Sequence, residues 1–96
     1  MSRPSLTLKV QTRTTKGTFT RELCLEQDQL VVQDVFDILA QQEWAADLFA
    51  TNEAPVRLQP GFMIVLNQRM IQPWEFGSYP VRDGQELQFI QVVPGG

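Results

Sequence analysis

The sequence closes on Val92-Val93-Pro94-Gly95-Gly96. Glycine offers no side chain to pack and loses the most conformational freedom on ordering. Two readings of this end stand side by side. It is a frayed end without meaning, or a tail kept slim so that its last carboxylate reaches a narrow site. In the second reading the reactive group is the Gly96 carboxylate, and Gly95 keeps the approach thin. The rest of the chain supplies little else that reacts. There is no histidine, which removes the commonest general base and metal ligand. Cys24 is the single cysteine, so a Cys/His zinc site is excluded and no metal site is expected. No glycine-rich phosphate loop occurs, and no pair of carboxylates carries a pocket signature. Cys24 shares a strand face with Thr20, Glu22 and Glu26; a reactive thiol or persulfide acceptor is set against an ordinary surface thiol, the reading its acidic neighbours favour. An enzyme acting alone is disfavoured.

Composition narrows the class further. A chain of 96 residues holds one domain and is long enough to fold unaided. Its apolar fraction of 43% and charged fraction of 20% are those of a globular protein. The net charge of −3 argues against nucleic-acid binding, which wants a basic stripe. No apolar run approaches the roughly 20 residues of a membrane span. The start, MSRPSLTLKV, lacks the apolar segment of a signal peptide. A cytoplasmic location is expected, and one cysteine fits a reducing compartment.

The elements that must position the tail follow from periodicity. SLTLKVQT alternates, with Leu6, Leu8 and Val10 on one face, and reads as a half-buried strand. Gly17 supplies a turn, and TFTRELCLE alternates again with Phe19, Leu23 and Leu25 on the core face, completing a hairpin. VVQDVFDILAQQEWAADLFA carries the helical period: Val32, Val35, Phe36 and Leu39 form a stripe that Trp44, Leu48 and Phe49 continue through a bend. TNEAPVRLQPG reads as a loop. FMIVL reads as a strand, Asn67-Gln68 as a tight turn and RMI as a short return strand. QPWEFGSYPVRDG is an irregular crossover, in which Trp74 and Phe76 are expected to plug a small apolar cluster and Asp83-Gly84 to turn the chain. ELQFIQV is the last strand, with Leu87 and Phe89 on one face and Gln88, Ile90 and Val92 on the other. One helix laid across one face of a mixed four- to five-stranded sheet gives an α+β, ubiquitin-like β-grasp. A single domain is expected over 1–96, with a flexible tail at about 92–96.

Three stretches carry a resemblance: Leu66-Asn67-Gln68, Asp83-Gly84-Gln85-Glu86-Leu87 and the terminal Gly95-Gly96. Their order and spacing resemble the sulfur-carrier group of β-grasp proteins, which includes the molybdopterin synthase small subunit, the thiamin sulfur carrier and the ubiquitin-related modifier. Motif-level likeness is confined to about the last third of the chain. The second Asp of the family pattern is Gln85 here, and the proline pair often seen before the tail is Gln91-Val92. The crossover is closer in length to that of the ubiquitin-related modifier, which also carries a Trp-Glu pair.

The resemblance implies a protein co-substrate and not an enzyme. An adenylating enzyme of the ThiF/MoeB type uses Mg-ATP to activate Gly96, so ATP and Mg belong to that partner and no cofactor is held here. A sulfur donor protein then supplies sulfur, giving a thiocarboxylate that a sulfur-accepting enzyme consumes in cofactor or metabolite synthesis, with molybdopterin and thiamin among the pathways served. Pro94 limits the tail's conformations, and Val92 and Val93 can dock as apolar anchors. Ile90, Met63 and Val65 on the outer sheet face form a candidate partner patch, set against the reading that scattered exposed apolar residues are normal. Two alternatives remain: a ubiquitin-like modifier conjugated through the same Gly-Gly, and a non-catalytic β-grasp subunit of a larger complex.

Overall fold

The computed structural model describes residues 5–27, 29–50 and 56–92. Alternating apolar residues make β1 (Leu6–Thr14), where Leu6, Leu8 and Val10 are buried. Thr15 and Lys16 turn the chain, Gly17 takes a φ of +129° that side-chain-bearing residues rarely adopt, and β2 (Gly17–Leu25) pairs antiparallel with β1 along its whole length. Two residues of β3 (Leu30–Val31) lead into α1 (Val32–Leu39). Val32, Val35, Phe36 and Leu39 are buried as the helical period predicts. Asp34 favours the start of the helix, since its carboxylate accepts the Val31 N–H at 3.0 Å and offsets the dipole there.

The helix is shorter than its sequence stripe. Bonds from Gln41 N–H to Ile38 O and from Gln42 N–H to Leu39 O close it with i→i−3 spacing. Ala46–Leu48 form one 3₁₀ turn, and β4 (Phe49–Ala50) pairs antiparallel with β5 (Arg57–Leu58), inside the segment expected to be loop. Leu48 and Phe49 are buried all the same. Packing satisfied their apolar character in extended backbone, because the Phe49 ring meets Phe36 at 5.3 Å and Phe89 at 5.7 Å.

The return half matches its pattern closely. β6 (Phe62–Leu66) turns through Asn67 and Gln68, both at positive φ (49° and 73°), into β7 (Arg69–Ile71). The crossover holds a 3₁₀ turn at Pro73–Glu75 and β8 (Pro80–Val81), which pairs with β3. β9 (Glu86–Gln91) then runs parallel to β1 and antiparallel to β6. The turn before it is clamped to β1: the Asp83 carboxylate accepts the Thr7 N–H at 2.7 Å and the Gly84 N–H donates to Thr7 O at 2.8 Å. The five-stranded sheet has the order β2-β1-β9-β6-β7. Its inner face and α1 enclose the core, with Phe36 in ring contact with Phe49, Phe76 and Phe89. This is the β-grasp arrangement expected from the element order.

Two aromatic placements differ from expectation. Phe19 is 61% exposed and does not join the core. An eight-residue helix is about 12 Å long, whereas a nine-residue strand reaches about 30 Å, so the hairpin tip projects beyond its cover. Trp74 is 80% exposed, and of the two only Phe76 packs under the crossover, at 5.0 Å from the Phe36 ring, with Tyr79 also against the core. Trp74 lies in the 3₁₀ turn and Phe76 is its C-cap, and at three residues per turn positions two apart point to different sides.

Candidate partner face and tail root

Strand alternation turns Met63 and Val65 of β6 and Ile90 of β9 to the sheet face away from α1. Register brings them together: Met63 lies opposite Ile90, and Val65 opposite both Gln88 and Met70. Met63, Val65 and Ile90 are half-buried, Met70 is 49% exposed and Val92 51% exposed. The other half of the same face is polar. Gln88 Nε2 donates to Gln11 Oε1 at 2.8 Å, Arg13 Nε donates to the same oxygen at 3.1 Å, and Lys9 pairs with Glu86 at 3.7 Å. The boundary runs along β9, leaving an apolar patch over β9, β6 and β7 beside a hydrogen-bonded strip over β1 and β2. An apolar patch rimmed by polar groups is a candidate for contact with a partner.

Met70 was absent from the sequence-derived set, although the signal was present: if Ile71 of the return strand points inward, Met70 points out. A groove of about 570 Å³ adjoins the patch, lined by Gln33, Leu58, Met63, Met70 and Phe76 among others. Apart from Gln33 its walls come from the stretch 56–76, which folds back on itself through β5, β6, β7 and the crossover.

The tail begins at Val92, whose N–H donates to Gly61 O at 2.7 Å and fixes where the chain leaves the sheet. The Gln91 side chain accepts the Thr15 N–H at 2.9 Å, tying the same point to the β1–β2 turn. Val93, Pro94, Gly95 and Gly96 lie outside the described residues. Among the described residues no cluster of His, Cys, Asp or Glu could hold a metal ion, and no helix is long and apolar enough to cross a membrane. Cys24 is an exposed free thiol.

The ThiS family model matches residues 7–96, from β1 through the last glycine. The chain belongs to the ThiS family. Solved structures agree on the fold. The HVO 2177 protein of Haloferax volcanii aligns with a TM-score of 0.65 at 17% identity, covering 100% of this chain and 92% of that one. The small archaeal modifier protein 1 of Methanosarcina acetivorans aligns at 0.64 and 20% identity, covering 96% and 98%. Urm1 of Trypanosoma brucei aligns at 0.56 and 22% identity, covering 100% of both. No curated protein sequence matches the chain. The ThiS-family match takes in the entire apolar patch and the tail.

Proposed function

We propose that this ThiS-family chain is a cytoplasmic sulfur carrier and a co-substrate of partner enzymes. One observation carries the reading: the family match extends to Gly96 and so includes the terminal Gly95-Gly96. A ubiquitin-activating-type enzyme adenylates the Gly96 carboxylate with its own ATP and Mg, releasing pyrophosphate. A persulfide sulfur on a donor protein displaces AMP, and a donor thiol cleaves the resulting acyl disulfide to leave a thiocarboxylate. A sulfur-accepting enzyme then takes the sulfur.

The chain's own residues supply binding and reach. Gly96 presents its carbonyl without a Cβ beside the attack path, and Gly95 keeps the tail narrow. Pro94 reduces the entropy lost on threading. Val92 and Val93 anchor the tail's root, while Ile90, Met63, Val65 and Met70 dock on the partner.

The test is intact-protein mass after incubation with Mg-ATP, an activating enzyme and a sulfur donor. Exchange of one oxygen for sulfur, lost when Gly96 is deleted, supports the reading. An unchanged mass with an enzyme that charges a control carrier overturns it. A second reading shares the activation and ends in an isopeptide bond to target lysines, favoured by the name of the Methanosarcina neighbour. Its mark is this chain covalently attached to other proteins.

A further inference from the structure

The other edge of the sheet carries an inference independent of sulfur chemistry. The Lys9 N–H donates to Gln85 O, and Thr7 O accepts from the Gly84 N–H. The odd residues of β1 therefore turn their backbone groups to β9, and the even ones turn theirs to β2. The partners of those even residues are Leu25, Leu23, Arg21, Phe19 and Gly17. Alternation then aims the N–H and C=O of Thr18, Thr20, Glu22 and Cys24 outward. Among the described residues nothing pairs with them. β2 is nine residues long, contains no proline and stays in continuous register with β1. Natural edges are normally blunted by such interruptions, and here the exposed Phe19 adds apolar surface.

We propose that β2 binds β2 of a second copy of this chain, antiparallel about a twofold axis normal to the sheet, joining the two five-stranded sheets. Such an axis keeps both α1 helices on one side, so inner-face residues meet inner-face residues. Three registers pair most of the strand. Centring on Arg21 sets the guanidinium opposite itself, and centring on Glu22 sets the carboxylate opposite itself. Like charges directly opposite destabilise a pair. Centring on Thr20 avoids both: Thr18 lies opposite Glu22 and Phe19 opposite Arg21, with Gly17–Leu23 of each copy engaged. Arg21 already sits over the Trp44 ring at 5.3 Å. In this register it also meets Phe19 of the second copy, an attraction of cation and ring that covers the exposed phenyl group. Charge thus selects both the occupant and the register. The two apolar patches stay free, on the same side of the joined sheet.

Sedimentation of the full chain over a concentration series tests the proposal, with the average mass expected to rise from monomer towards dimer. Thr20→Pro removes an outward N–H from each copy without touching the β1 ladder, and is expected to weaken association about tenfold at an unchanged melting temperature. In a Cys24→Ser background, Thr20→Cys is expected to form a disulfide dimer on mild oxidation. Paired Cα atoms stand about 5.5 Å apart there, within disulfide reach. Glu22→Cys is not, because it faces Thr18 in this register. If Thr20→Pro fails to fold, the cross-linking pair decides alone. A chain that remains monomeric at every concentration overturns the proposal. So does cross-linking at Glu22→Cys that equals or exceeds that at Thr20→Cys.

Discussion

At the scale of single residues, chemistry and packing separate cleanly. On the proposed function, Gly96→Ala adds one methyl group beside the carbonyl that is to be activated. A displacement of about 1 Å at reacting atoms costs about a hundredfold, so adenylation is expected to fall by that order while the melting temperature stays put. Met70→Glu puts a charge on an exposed side chain at the patch. Its folding stability is expected to stay within about 0.5 kcal/mol, and activation by the partner enzyme to fall, read as a raised KM for the chain at constant kcat. Phe36→Ala is the converse, because Phe36 is fully buried and touches three other rings. Denaturant melts are expected to show a loss of about 3–5 kcal/mol. The outward placement of Ile90, Met63 and Val65 was legible in the sequence, because the two-residue pleat of a strand separates inner from outer positions. Trp74 was not, because a 3₁₀ turn three residues long leaves no period to read.

At the scale of elements, strands and tight turns were legible and the end of the helix was not. The stripe through Trp44, Leu48 and Phe49 continued the helical period, yet an aromatic residue is buried as well by an extended chain against Phe36 and Phe89. Periodicity reports which residues want burial and not which backbone buries them. The short strands β3, β4, β5 and β8 have two residues each, too few for any alternation to show. Turn glycines can be tested in pairs. Gly84 has open space around its Cα but a φ of +84°, whereas Gly77 has the same open space with no positive φ. Gly84→Ala is expected to lose about 1–2 kcal/mol through backbone strain alone, and Gly77→Ala to be neutral or slightly stabilising in the same melts.

At the scale of the whole molecule, the sheet's middle is built from the chain's two ends, β1 and β9. Element order made that arrangement readable, but the parallel register and the Asp83 clamp on Thr7 came only with the structure. Pairing so distant in sequence must await closure of nearly the full chain, so a version truncated after Val81 is expected to show no cooperative unfolding by circular dichroism. The same placement has a mechanical side. A partner that draws on the tail pulls along the axis of β9, which is flanked by β1 and β6. The hydrogen bonds on both flanks are then loaded together in shear, not peeled one at a time. On the proposed function, the strand that leads into the tail is thus a tether paired along both edges, suited to bear a pull from a partner without peeling the sheet.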